Sequence, residues 1–438
     1  MKQPAGGRRI GARPAVAAGW ALSLRVAGMG SNLLFHLLVA RRVGVDGAGL
    51  FYLALASANV ASTLGRLGME NALLRRVAVC AAEEDWRSIG ALFRAGARIT
   101  LLGSAVQGLL LWVVAAPLAA ALGEGAELTA TFRWMALAVV PLSLVSVGAD
   151  GLRGLGHLRT SIACQEVGVP LAGSIAIFSF GTIHGPIIAV WAQTIAFTLM
   201  AALCGLACLR VLHGREGRGG QRPSGRALLA SGLPLMWASL LTFLPQAFCI
   251  YLLGGMFGRD EVGRFGISTR LAGLVSFSLL AANLASKQRF AQLHAVHEPA
   301  RLRAAAISAT RFSLRIALPL GAAFLLFPRA LLGLAGEGFV SAAPVLSILV
   351  GGQLFNVATG GVGALLMMSG HEKDLRTSVA VSTVAALVLA ALFLPVHGAL
   401  GAGIAVAGGG VVQNVLGTIF VRRRLGFYLW PVRSRHHA

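Results

Sequence analysis

The amino-acid sequence predicts an all-α polytopic membrane protein, with about 12 transmembrane helices in two six-helix repeats around a central cavity. Three observations predict it: long apolar runs, a one-sided placement of Arg and Lys between them, and motifs that recur at a near-constant offset. Hydrophobic residues make up 56% of the 438 positions and charged residues 12%. Soluble domains carry about 25% charged residues, so a water-facing surface would be short of charge. In lipid, apolar side chains face outward at no cost, and runs of about 18 or more read as membrane helices. The runs are continuous rather than alternating, which favours helices over a barrel.

In order, the spans are 15–40, 47–67, 95–122, 132–150, 161–182 and 184–209, then 228–255, 262–286, 304–327, 341–368, 377–395 and 398–420. The first follows a basic start, as a signal peptide would. Arg25 interrupts its apolar core and no small-x-small cleavage site follows, so it reads as a retained span. Between the halves, 210–227 is Gly- and Arg-rich and reads as a flexible cytoplasmic linker. It separates an N-terminal lobe, 1–209, from a C-terminal lobe, 228–420, which a basic cytoplasmic tail, 421–438, follows.

With the N-terminus placed inside, 30 of the 38 Arg and Lys residues fall in inner segments. Six fall outside, namely Arg41, Arg42, Arg133, Arg259, Arg264 and Arg329, and Arg25 and Arg270, deeper within spans, make up the rest. This asymmetry places both termini in the cytoplasm, gives an even number of spans and suits a bacterial inner membrane. The net charge of +22 is spread over short loops and forms no basic domain, so nucleic acid is not a partner. Five Cys imply no disulfide framework, and Cys204 and Cys208, four apart, read as small packing residues rather than a metal pair.

The halves repeat. Gly44-x-Asp46-x-x-Gly49-x-Phe51 recurs as Gly258-x-Asp260-x-x-Gly263-x-Phe265, and Arg94-x-x-x-Arg98-Ile99 as Arg311-x-x-x-Arg315-Ile316. Gly123-Glu124-Gly125 recurs as Gly336-Glu337-Gly338, Gly156-His157 as Gly370-His371, and His184-Gly185 as His397-Gly398. Six spans per half is even, so both halves cross in the same sense about an axis along the membrane normal, with a cavity between them. The Gly-x-Asp segments read as tight outer turns. The Arg pairs read as inner-end anchors that snorkel to anionic headgroups.

Polar groups inside spans are costly and need a reason. Arg25, Asn32 and His36 are spaced 7 and 4 apart, on one helical face. Arg270 lies about two turns into the eighth span, and Gln246, Gln353 and Asn356 lie in the seventh and tenth. Two readings stand for these seven: a cationic, hydrogen-bonding cavity for a phosphorylated headgroup, or polar packing between helices. Asp150 and Glu166 either pair with a neighbouring Arg or carry a coupling ion, as His36 also could. No Gly-x-x-x-x-Gly-Lys, His-Glu-x-x-His or Cys-x-x-Cys pair occurs, and no outer loop could hold a catalytic domain. The chain therefore reads as a non-enzyme without cofactor or metal.

The segments Ala40-Arg41 through Phe51, Leu67-Gly68 through Arg75, Val262-Gly263-x-Phe265 with Arg270-Leu271, and Gly352-Gln353 to Asn356 carry a family resemblance. The chain resembles the polysaccharide-transporter, O-antigen flippase-like branch of the multidrug/oligosaccharidyl-lipid/polysaccharide exporter superfamily. That resemblance implies two six-helix bundles that alternate between inward- and outward-open states. The implied cargo is a polyprenyl-diphosphate-linked oligosaccharide for surface polysaccharide such as lipopolysaccharide. It also implies contact with membrane lipids, coupling to H+ or Na+, and proximity to other polysaccharide-assembly proteins. A cavity arginine in the first helix, here Arg25, is a feature of related lipid flippases. A cation- or proton-coupled drug antiporter of the same fold, which should carry a mid-membrane carboxylate, and a non-transport envelope scaffold are the alternatives.

Overall fold

In lipid every backbone amide must find a partner within the chain, so an apolar sequence of this kind resolves into helices. The computed structural model describes residues 14–180, 185–213, 225–296 and 298–428, and their architecture is helical. The first half comprises α1 (Pro14–Arg66), α2 (Met69–Ala82), α3 (Trp86–Ala121), α4 (Ala126–Gly154), α5 (Leu158–Ile162), α6 (Val169–Ser179) and α7 (Ile187–Leu212). The second comprises α8 (Gly225–Phe257), α9 (Arg259–Gly273), α10 (Phe277–Ala295), α11 (Pro299–Leu326), α12 (Pro328–Gly333), α13 (Ala343–Thr359), α14 (Val362–Met368), α15 (Glu372–His397) and α16 (Ala399–Leu425). The heart of the linker, the N-terminal tail, most of the C-terminal tail and His184 of the repeat lie outside the described residues.

Among the described residues, ten helices are long and apolar enough to cross a membrane, or eleven if α9 and the start of α10, bent by 40°, count as one span. The first of these runs from Leu22 to Arg66 but is not straight. Gly44 interrupts it with φ 69° and ψ −174°. A straight helix would hold residues 36 and 52 about 24 Å apart. Instead the His36 and Tyr52 rings stack at 5.6 Å, and Phe35 meets Phe51 edge-on at 6.0 Å. The chain therefore folds back at Gly44 into two antiparallel limbs. The count of twelve rests on reading those limbs as separate crossings.

The outward faces are those of a lipid-solvated protein. On α3, Leu102, Val106, Leu109 and Val113 form one exposed stripe. Its opposite face, Gly96, Thr100, Ser104 and Gly108, is buried at every fourth position. Small residues there let backbones approach closely, as in membrane bundles where apolar burial supplies no drive. In α8, Pro245 leaves the Leu241 carbonyl without its helical donor, and the Thr383 hydroxyl donates to that oxygen at 3.1 Å.

The repeat is visible in the backbone. Gly44 and Gly258 share one conformation, with Gly258 at φ 83° and ψ 176°, and the matched Gly123/Gly336, Gly156/Gly370 and Gly185/Gly398 all have positive φ. The second glycine of each outer motif holds the two halves together. Gly49 lies against the Arg259 carbonyl, and its repeat mate Gly263 lies against the carbonyl of Val45, which is the mate of Arg259. The contact is thus reciprocal about a pseudo-twofold. Arg259 reinforces it, pairing with Asp46 and, at 2.7 Å, with Glu127. This seam lies on the side opposite the arginine-rich face. At the arginine-rich face α8 leans onto α2, and Arg76 donates to the Ala227 carbonyl at 3.2 Å.

Two features departed from expectation. The stretch 68–94, which lies between the second and third expected spans, contains α2 and the first turns of α3, which Asp85 caps by accepting from the Ser88 amide at 3.0 Å. Those hydrogen bonds from Ser88 hold the Asp85 carboxyl below its usual range. The eighth span is broken at residues 274–276 rather than continuous.

Gly44 and Gly258 occupy backbone conformations open essentially to Gly alone, while a Cβ at either would meet nothing within 4 Å. Gly44→Ala and Gly258→Ala should each lose about 1–3 kcal/mol from backbone strain alone. Gly30→Ala, in helix and in open space, should be neutral or slightly stabilising. Thermal unfolding in detergent compares the three.

Candidate functional site

Between the halves, below the glycine seam, lies a cavity of about 540 Å³. Its walls come from both limbs of α1, from α6 and the turn before it, and from α7, α8 and α9. Of the residues expected to bind substrate, Arg25, Asn32, His36, Gln246 and Arg270 line it. Arg25 to His36 spans about 16 Å along the helix axis. The one-face spacing in the first span therefore translated into one wall. Tyr52, Asn59, Gln193 and Thr269 add polar groups.

Gln353 and Asn356 stand apart, which corrects the expectation that they face the same cavity. They form a chain within the second half: Asn414 donates to Asn356 at 3.1 Å, and Asn356 to Gln353 at 3.5 Å. This is polar packing between α13 and α16.

The cavity wall carries charge in two arrangements. In the first, Arg25 lies 3.4 Å from Glu166, Glu166 lies 3.0 Å from Arg153, and Arg153 lies 2.7 Å from Asp150. A local distortion aims this chain. Residues Ala163–Gly168 form a π-helical turn between α5 and α6, which puts Gln165 and Glu166 on the side facing Arg153. Such turns recur at functional sites because the extra residue redirects side chains. Gly28 permits the approach, since a Cβ there would strike the Glu166 carbonyl. A neighbouring pair, Arg66 and Glu70 at 3.4 Å, completes three guanidiniums against three carboxylates. Asp150 and Glu166, the coupling-ion candidates, are thus each held by arginine.

Arg270 is the second arrangement. It makes no hydrogen bond or ion pair among the described residues, and its Nε is buried without a partner. Among the described residues, no carboxylate from the second half lines the cavity. Beside it His36 is buried, stacked on Tyr52 with its Nδ1 3.3 Å from the Tyr52 hydroxyl. Gly266, the repeat mate of Tyr52, leaves the room the Tyr52 ring occupies. Asn32 and Gln246 likewise make no hydrogen bond among the described residues. The cavity therefore presents one unpaired guanidinium, a second shared with a carboxylate, and free amides. That set suits an anionic, oxygen-rich ligand.

Glu70, Tyr52, Gln193 and the π turn were not anticipated as site features. Gln193 carried a usable signal, a lone amide inside an apolar run. The π turn carried none. Cys204 and Cys208 pack against Gly148, and no group of three metal-ligating side chains occurs among the described residues.

Residues 17–286 match the family model described as polysaccharide biosynthesis protein. No curated protein matches in sequence. Among solved structures, an inward-facing multidrug resistance MATE family transporter of the MOP superfamily aligns over 93% of this chain and 98% of its own, at 17% identity and TM-score 0.72. The lipid II flippase MurJ, in an inward closed conformation, aligns over 93% and 87% at 12% identity and TM-score 0.72. A MOP superfamily transporter from Pyrococcus furiosus Vc1, described as having a binding pocket of reverse polarity, aligns over 97% and 99% at 17% identity and TM-score 0.66.

Removing Glu166 leaves Arg25 and Arg153 facing one carboxylate. Glu166→Gln should cost about 1–3 kcal/mol, less than a dry pair because the group is part-exposed. The double variant Glu166→Gln/Arg25→Gln, with charge balance restored, should recover part of that loss in thermal unfolding.

Proposed function

The chain belongs to the polysaccharide biosynthesis protein family, and from that premise we propose that it is a flippase for a polyprenyl-diphosphate-linked oligosaccharide. The cargo moves from the cytoplasmic to the periplasmic leaflet of a bacterial inner membrane, with both termini of the chain cytoplasmic. The observation that carries this reading is the unpaired Arg270 guanidinium in the cavity wall. A diphosphate crossing the bilayer must lose its hydration, and opposing fixed charge offsets that loss. Arg270 supplies the uncompensated charge. Arg25 adds a second fork when its pairing with Glu166 is exchanged for phosphate oxygen. Asn32 and Gln246 offer amides to the sugars, and the prenyl tail trails in lipid between helices.

Alternating access follows from the seam. Two rigid halves that meet at Gly49 and Gly263 can rock about that contact, once the Arg259 pairs part. Coupling to H+ or Na+ falls to Glu166 and Asp150, since displacement of Arg25 toward the cargo changes the charge around Glu166. His36, beside Tyr52, is the other candidate. A drug antiporter of the same fold is disfavoured by the same charges. Among the described residues Glu166 is the one carboxylate in the lining, two arginines hold it, and an organic cation would meet Arg270 unopposed. A scaffold role would leave these charges without a purpose.

The test is complementation of a deletion strain. Arg270→Ala should lose surface glycan and accumulate lipid-linked oligosaccharide on the cytoplasmic face, with protein still in the membrane. Loss of one charged partner is worth about 2–5 kcal/mol, or thirtyfold and more in affinity. Arg25→Ala should do the same, and Gln353→Ala should not. Normal glycan in the Arg270 and Arg25 variants would refute the proposal.

A further inference from the structure

A second and larger concavity, about 810 Å³, opens at the arginine-rich end of the first half, between α3, α4 and α7. It shares no lining residue with the central cavity. Helix α7 separates the two: Gln193 and Phe197 face the centre, and Gly205 and Leu209 face this groove. Its depth comes from missing side chains on α3 and α7, at Gly90 and Gly205, whereas Gly148 of α4 is packed against Cys204. A Cβ on Gly205 would meet nothing within 4 Å, and one on Gly90 would meet only the Arg94 guanidinium at 3.4 Å. The walls are otherwise apolar.

The basic groups in the lining are Arg87, Arg94 and His213, and among the described residues no carboxylate joins them. Arg87 and Arg94 are two turns apart on α3, hence on one face. Both are exposed, and neither makes an ion pair within 4.0 Å among the described residues. The nearby Asp85 is engaged as the cap of α3. An apolar slot with cationic groups at its polar end, on a surface that faces acyl chains, matches one chemistry: fatty chains beneath an anionic phosphate.

We propose that this groove is a binding site for one anionic phospholipid of the surrounding bilayer. The phosphate is held by Arg87 and Arg94 and the acyl chains lie over Gly205 and Gly148. Helix α4 packs on both α3 and α7 and carries Asp150 and Arg153, so the lipid braces the wall on which the central charge network is mounted.

Native mass spectrometry and thermal unfolding of the purified full-length protein test this, with phosphatidylglycerol or phosphatidylcholine added in mixed micelles. The wild type should retain a single phosphatidylglycerol and be stabilised by it, with phosphatidylcholine at least about tenfold weaker, one ion contact's worth. Arg87→Gln/Arg94→Gln should abolish the preference while leaving the lipid-free unfolding temperature unchanged. Gly205→Phe, which fills the groove, should lose retention of both lipids. Arg270→Gln, in the central cavity, should retain phosphatidylglycerol as the wild type does, which separates this site from the proposed transport site. Equal retention of the two lipids by the wild type would overturn the proposal. So would undiminished phosphatidylglycerol preference in Arg87→Gln/Arg94→Gln, or loss of retention in Arg270→Gln alone, which would place the lipid in the central cavity.

Discussion

A charge inside an apolar bundle has to be compensated, and that constraint organises this molecule. Taking a guanidinium out of water costs several kcal/mol unless a partner or water remains close. The first half meets the requirement with Arg25, Arg66 and Arg153 set against Glu70, Asp150 and Glu166. The π turn and the bare face of Gly28 exist at the point where this bookkeeping needs a carboxylate to reach across helices. Arg270 stands in the cavity wall without such a partner, and on the proposed function the phosphate of the cargo supplies it.

The duplication explains why the exception sits where it does. The two halves share a backbone plan down to the conformations of paired glycines, and they meet through a reciprocal glycine-to-carbonyl contact. Their interiors have diverged. One carries the ion network, whereas the corresponding core of the other holds neutral amides, Gln353, Asn356 and Asn414. On the proposed function, a scaffold with symmetric mechanics and asymmetric chemistry rocks as two rigid bodies while a single charged wall takes the cargo.

Much of this was legible in the sequence. Continuous apolar runs gave the helices, and the offset of the Gly-x-Asp motifs gave the duplication. The spacing of Arg25, Asn32 and His36 gave one cavity wall, because helical periodicity is a local property. Other features were hidden for physical reasons. Gly49 and Gly263 read as turn residues, but their role is set by a backbone more than 200 positions away. The π turn depends on tertiary packing, and α2 is too short and too amphipathic to stand out beside membrane spans. Gln353 and Asn356 share the polarity of the cavity residues, and only the structure separates packing amides from lining ones. Periodicity gives the face of a helix but not what that face meets.

Equilibrium binding to the purified protein in nanodiscs tests the central claim most directly, using a short-chain isoprenyl diphosphate carrying a sugar and its neutral, phosphate-free analogue. An uncompensated guanidinium predicts saturable binding of the diphosphate compound that weakens with salt and falls at least about tenfold in Arg270→Gln. It predicts no comparable binding of the neutral analogue. Equal affinity for the two compounds, or unchanged affinity in Arg270→Gln, would contradict it.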